Sequence, residues 1–350
     1  MTIEDIVVLA KKGMVEEALK RVEALGDPFD KVLAVVGIAK VVGDLAFLQD
    51  AAYLLKKVKK KGEKAIAYSE VALAHSLLGD MEKATELFNE ALRIVEGLEP
   101  KGAGPVAGII ASRLALAGFI DAALETFEFA FDTIMNLEVD FSKKIDMILQ
   151  LADLMEETGD DLTSEEALPI YLRAHDIFEK LRVNQRAGTL EKKIELARVL
   201  KRGGWPDIRH PVYEGKYQQA LHLIQLVLTG ENKAIAILEM ALWAKRSMAP
   251  ERYGLLGRAL DELSKTEVSQ EGAYEATLLL TELRKINLAL KFALSLEDTE
   301  KRDIAIKGII EALIEDEEYE DAKKLVSYIS DERLREEVIE KIMLAEGQRL

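Results

Sequence analysis

Ala65 to Pro100 reads AIAYSEVALAHSLLGDMEKATELFNEALRIVEGLEP. Its apolar residues recur at i, i+3 and i+4, the period of a helix that buries one stripe. Tyr68, Val71, Ala72 and His75 share the first stripe, and Ala84, Phe88 and Ala91 the second. Gly79-Asp80 between them supplies a turn, so the stretch predicts two antiparallel helices. Ala72, Ala84 and Ala91 let the backbones approach, while Tyr68 and Phe88 fill the space between. One such hairpin cannot bury its apolar faces alone and needs copies of itself beside it.

The copies are present. Gly104 to Leu137 repeats the pattern closely, with Ala107, Ile110, Ala111 and Leu114 before Gly118, and Ala123, Phe127 and Ala130 after it. Ala18, Ala51 and Ala84 are spaced by 33 residues. Near the end, Ala273, Ala276 and Thr277 map at the same spacing onto Ile306, Ile309 and Ile310, then onto Ile339, Ile342 and Met343. The whole chain, 1–350, therefore reads as one all-α array. Its hairpins fall at about 2–26, 29–61, 63–98, 104–138, 141–182, 186–229, 231–265, 270–296 and 301–329, followed by a capping helix at 331–347. The cap is expected to show a charged outer face, because a terminal repeat must be wettable. Some copies depart from the pattern. Gly159 reads as the fifth turn, and Thr163 with Glu166 as a capping box for the helix after it. Pro169 is expected to kink that helix or shift its start. Ala249-Pro250 places a first-turn proline in the seventh hairpin, and WPDIRHPVYEG, 205–215, with two prolines, reads as a loop inserted in the sixth.

Composition bounds the function. Low aromatic content (6%) and few prolines (7) beside abundant Ala, Leu, Ile, Lys and Glu favour an all-helical chain. A net charge of −16 lacks the positive footprint of a nucleic-acid binder and reads first as surface solubility. Without cysteine there is no disulfide framework, thiolate zinc site or Cys nucleophile. The start, MTIEDIVVLAKKG, is too short and acidic for a signal peptide, and no apolar run approaches the roughly 20 residues of a membrane span. These readings predict a soluble, cytoplasmic protein. Few Asn and Gln beside many Lys and Glu is the composition of thermophile proteins. No phosphate-binding glycine loop, HExxH or GxSxG is present, and His75, His175, His210 and His222 are scattered. His75 reads as a core residue. His175 and Glu179 share a helix face without a third ligand. No catalytic, cofactor or metal residues are assigned, and the chain is expected not to be an enzyme.

The offsets resemble the tetratricopeptide (TPR) repeat, in which a small residue precedes the turn glycine by seven and an Ala, aromatic, Ala series follows it. Here the series is Ala72, Gly79, Ala84, Phe88, Ala91, and again Ala111, Gly118, Ala123, Phe127, Ala130. The fit is close in these two hairpins, fair in the fifth and ninth, and loose elsewhere. The resemblance implies a TPR-like helical-hairpin repeat α-solenoid, a right-handed superhelix whose first helices line a concave groove for a peptide or partner helix. The Asn and Lys/Arg clamp by which some TPR proteins hold a C-terminal carboxylate is not matched, since no first-helix interior carries the Asn.

If that groove geometry holds, Ile66, Ser69, Leu73, Leu77, Gly108, Ser112 and Leu116 face it in the third and fourth hairpins. They suit an amphipathic helix, or are simply core. Asp146, Asp153, Glu156 and Glu157 follow in the fifth. Arg198, Lys201, Arg202, Lys245 and Arg246 then make a basic middle, to which the insert adds Trp205, Arg209, His210 and Tyr213. Trp, Tyr and Arg commonly anchor interfaces. The alternative is a ladder of ion pairs between neighbouring repeats. Lys56, Lys57, Lys59, Lys60, Lys61 and Lys64 read as a solvated helix C-terminus and its loop. The expected function is a scaffold or adaptor for a protein or peptide, without cofactor. The alternatives are a sensor binding a small anion at the basic middle, and an enzyme whose site is assembled across repeats.

Overall fold

In the computed structural model, which describes residues 2–347, the stretch from Ala65 to Pro100 falls in two helices, Lys61–Leu77 and Met81–Glu96. Gly79 joins them at φ +88°, a left-handed conformation that a residue without Cβ adopts at no steric cost. Asp80 caps the second helix by accepting the Lys83 N–H at 3.2 Å, and His75 Nδ1 lies 3.0 Å from its other oxygen. Ala72, Ala84 and Ala91 are fully buried, and Phe88 meets Phe119 edge-to-face at 5.7 Å. Tyr68 is only half-buried.

Among the described residues the chain is all-α, with 20 α-helices and no strand. It divides into two compact units, Met1–Ile194 and Glu195–Leu350. The first holds α1 (Ile3–Lys11), α2 (Val15–Ala24), α3 (Pro28–Val42), α4 (Ala46–Leu55), α5 (Lys61–Leu77), α6 (Met81–Glu96), α7 (Pro100–Leu116), α8 (Ile120–Met135), α9 (Phe141–Asp160) and α10 (Ser164–Lys180). Each odd-numbered helix packs on the even one that follows it. From α1 to α9 each odd helix also packs on the next odd one. The odd helices cross at small residues. A Cβ on Gly37 of α3 would lie 2.5 Å from Val7 of α1, and one on Gly108 of α7 would lie 2.8 Å from Leu151 of α9. Gly159 is not a turn residue. It lies inside α9, where a Cβ would meet the Tyr171 ring at 2.5 Å, so it is small to admit an aromatic. The Thr163–Glu166 capping box forms as expected, and α10 starts at Ser164, directly after the N-cap Thr163, and continues through Pro169. The fourth pair begins at Pro100, four residues before Gly104, because Pro100 takes the favourable first-turn position.

The helix α11 (Asn184–Val199) crosses from the first unit into the second. The second unit continues with α12 (Pro206–Tyr213), α13 (Tyr217–Val227), α14 (Gly230–Arg246), α15 (Arg252–Ser264), α16 (Gln270–Glu282), α17 (Ile286–Leu294), α18 (Thr299–Glu315), α19 (Tyr319–Leu325), a 3₁₀ turn at Val326–Tyr328, and α20 (Glu332–Gly347). Here α14, α16, α18 and α20 pack in succession, and α15, α17 and α19 each pack on the helix before them. The expected loop at 205–215 is instead mostly the helix α12. Pro206 occupies its first position, where the missing N–H is no loss, and Ile208 and Val212 are buried at i, i+4. Pro250 lies in the turn before α15 rather than in its first turn.

The hairpins from α14 onward lack glycine where α5–α6 and α7–α8 turn on Gly79 and Gly118. Met248, Arg284 and Glu317 stand between α14 and α15, α16 and α17, and α18 and α19, with φ of +55°, +59° and +62°. An L-residue there is strained by roughly 1–2 kcal/mol. Met248 is 83% exposed, so its side chain contributes little burial in return. Met248→Gly is expected to raise the unfolding free energy by about 0.5–1 kcal/mol in guanidinium titration. Within α8, Phe127 is fully buried whereas Phe129 is 45% exposed. Phe127→Ala should cost about 3–5 kcal/mol in the same assay, and Phe129→Ala less than about 1.

Candidate functional site

The helix α14 buries every residue from Ala234 to Ala244, and Glu239 is the one ionisable group in that run. A buried carboxylate is costly unless hydrogen-bonded. Glu239 Oε1 accepts the backbone N–H of Arg202 at 2.9 Å, and Oε2 accepts that of Gly203 at 2.9 Å. Burial pushes its carboxyl up to about 7, while the N–H groups of Gly203, Arg202 and Lys201 pull the other way. The turn after α11 is thereby tied to the core of the second unit by a side chain that no family motif marks. Its signal in the sequence was a lone acid in the apolar run AIAILEMALWA, 234–244.

The tied turn presents side chains to solvent. Lys201 is exposed, and Trp205, the N-cap residue of α12, is 56% exposed. Arg198 is exposed in the last turn of α11. Of the remaining residues of the insert, Arg209 is buried, His210 exposed and Tyr213 half-buried.

The other expected basic residues are engaged within the unit. Arg202 makes a bidentate pair with Glu275, at 2.9 and 3.0 Å, and reaches Asn232 at 3.0 Å. Arg246 pairs with Glu282, and Lys245 donates to the Glu282 carbonyl at 2.6 Å. The same ladder continues through Lys301–Glu271, Arg284–Glu315, Lys307–Glu337 and Lys341–Glu311. In the first unit Arg186 and Lys193 take up Asp153, Glu156 and Asp160, and Arg173 pairs with Glu128. Acidic residues expected in the fifth hairpin, Asp153 and Glu156, are therefore partners of basic neighbours.

The apolar candidates separate. Leu77 is 59% exposed and Leu116 half-buried, but Leu73 is only 4% exposed and cannot meet a partner, because α5 is covered by α3, α6 and α7. Ser69 and Ser112 are likewise buried, Ser112 sharing a 2.8 Å hydrogen bond with Thr158. The lysine run straddles two helices: Lys56 ends α4, Lys60 precedes α5 and pairs with Glu63, and Lys61 and Lys64 belong to α5 itself.

Open cavities lie between helix ends of the second unit. One of about 710 Å³ is lined by Thr299, Asp303, Ser330, Arg333 and Glu337 among others, and one of about 630 Å³ by Arg284, Asn287, Glu318, Asp321 and Lys324 among others. His175 lies 3.9 Å from Glu179, and among the described residues no three His, Asp or Glu side chains are placed to hold a metal ion. No helix among them is long and apolar enough to cross a membrane.

The Glu239 tether carries its own pH dependence. Its carboxyl ordinarily titrates at 4.5 and is raised on folding, so between about 4.5 and 7 the folded chain holds more proton than the unfolded one. Stability from this group is highest in acid, falls as pH rises through that window and is flat above it. Glu239→Gln keeps an acceptor and removes the titration. Its stability relative to the parent should rise by about 2 kcal/mol between pH 5 and pH 8, read from guanidinium midpoints at each pH.

No family model matches the sequence, and no curated protein does. Among solved structures, the chain is similar to Ton1535 from Thermococcus onnurineus NA1, with a TM-score of 0.86. The two are 36% identical, and the match covers 97% of this chain and 98% of that one. At that identity and coverage the chain belongs to the same family as Ton1535.

Proposed function

We propose that this protein is a TPR-like α-solenoid that serves as a scaffold, binding an acidic segment of a protein partner at the turn 198–205. The observation that carries this reading is the pairing of a rigid base with an exposed display. Glu239 holds the backbone of Arg202 and Gly203 from inside, while Lys201 and Trp205 project outward. A pre-ordered turn loses little entropy on binding, and Trp and basic side chains exposed on one short stretch are residue types that anchor interfaces. Arg202, Lys245 and Arg246 already face carboxylates or carbonyls, which weighs against a pocket for a small anion. The succession of helix contacts within each unit supports the solenoid reading, as does the close TPR spacing around Gly79 and Gly118. The long ion-pair ladder supports a thermophile origin, since desolvating such pairs costs less at high temperature.

The test is affinity capture from an extract of the source organism, with Lys201→Glu/Trp205→Ala as the comparison. The expected result is a protein partner retained by the parent and lost with the double variant, whose circular dichroism is unchanged. Full retention by the variant would remove the site. Native mass spectrometry showing a co-purified small anion, with no protein partner, would replace the scaffold reading with a ligand sensor.

A further inference from the structure

The final helices of the second unit show what a helix in this position is built to hold. Ala273, Ile306 and Ile339 stand 33 residues apart, as do Thr277, Ile310 and Met343. On α16 and α18 these positions are at most 3% exposed, where α17 packs on α16 and α19 on α18. Thr277 Oγ1 lies 3.5 Å from the Ala289 carbonyl of α17, which places this register under the second helix of its hairpin. On α20 the same positions are open: Ile339 is 41% exposed and Met343 66%, with Leu344 beside them at 60%. Ile342 stays buried like its counterparts Ala276 and Ile309, so α20 keeps the burial pattern of its predecessors toward α18. The outer face expected to be charged is therefore in part an apolar seat, uncovered among the described residues.

A second register position agrees. Gln270 Oε1 accepts the Glu297 N–H at 2.7 Å, and 33 residues later Asp303 Oδ2 accepts the N–H groups of Ser330 and Asp331 at 2.9 and 2.8 Å. Each oxygen holds the segment that follows the hairpin's second helix. The next position in the series is Glu336, which is exposed. Glu332, Glu336 and Glu340 form an i, i+4, i+8 row along α20, all exposed and none in an ion pair among the described residues.

The occupant follows from what fills the seat on α16. The segment Arg284 to Ser295, RKINLALKFALS, presents the buried Ala289 and Ala293 at i, i+4 and carries Arg284, Lys285 and Lys291 without an acid. We infer that α20 seats, in trans, an amphipathic helix of a protein partner with a small-residue seam and basic flanks. The seam covers Ile339 and Met343, and the basic flanks answer the row of three glutamates. This surface is separate from the turn at 198–205, and each can fail without the other.

The probe is a fluorescein-labelled peptide of residues 284–295, titrated with the full chain and followed by fluorescence anisotropy. Saturable binding is expected, weakened at least about ten-fold by Ile339→Asp/Met343→Asp in the protein or Ala289→Asp/Ala293→Asp in the peptide. Glu336→Gln/Glu340→Gln should weaken it less and reduce its salt dependence. All the substituted protein residues are exposed, and circular dichroism of each variant checks that the fold is kept. Absence of binding, or binding equal in parent and the Ile339/Met343 variant, overturns the proposal. So does a parent dimer in sedimentation that the Ile339/Met343 variant dissolves, because the occupant is then a second copy of the chain.

Discussion

The close crossing of one odd-numbered helix on the next is the contact on which the first unit depends, and the even-numbered helices from α14 onward repeat it in the second. A hairpin joins its own two helices through one stripe, but its first helix still carries apolar residues on the flanks. Those flanks are buried only when the neighbouring first helix comes near, and Gly37 and Gly108 are small because of that approach. Charge follows the same seam. Glu70 on α5 lies between Lys40 of α3, at 3.3 Å, and Arg113 of α7, at 2.6 Å. Burial alone would raise the Glu70 carboxyl, yet Arg113 and Lys40 bring it below the ordinary value. The same residues that align the helices also neutralise one another.

This arrangement governs which charges remain for other work. The chain holds 63 acidic and 47 basic residues, and many of the basic ones stand opposite a carboxylate on an adjacent helix. Exposed ion pairs are individually worth little, so their weight is in register and in the field they leave behind. Arg198 and Lys201 are exposed cations close in sequence to the exposed Trp205, and Glu332, Glu336 and Glu340 form an exposed acidic row on the helix that carries Ile339 and Met343.

Two places in the second unit break the rules that the rest obeys. The helix α14 is buried along its whole central run yet admits Glu239, because the N–H groups of Arg202 and Gly203 in a neighbouring turn satisfy its two oxygens. The helix α20 exposes apolar residues that its predecessors bury. Local consistency fails where a structure does something besides fold, and each of these places underlies one of the two proposed binding surfaces.

The sequence by itself determined that this chain is all-α, because a 3.6-residue period of small and large apolar side chains has no strand equivalent. It also located the turns at Gly79 and Gly118, since a left-handed residue without Cβ is the simplest way to reverse a helix. Where Met248, Arg284 and Glu317 take that conformation, the signal vanished and the later registers blurred. Tertiary structure decided the rest. Whether 205–215 is loop or helix depended on a core able to bury Ile208 and Val212, and proline statistics argued the other way. Whether Arg202, Lys245 and Arg246 met a ligand or a glutamate depended on residues 36 to 73 positions away. Periodicity fixes which face of a helix is apolar; only packing decides which of those faces, and which charges, are left uncovered.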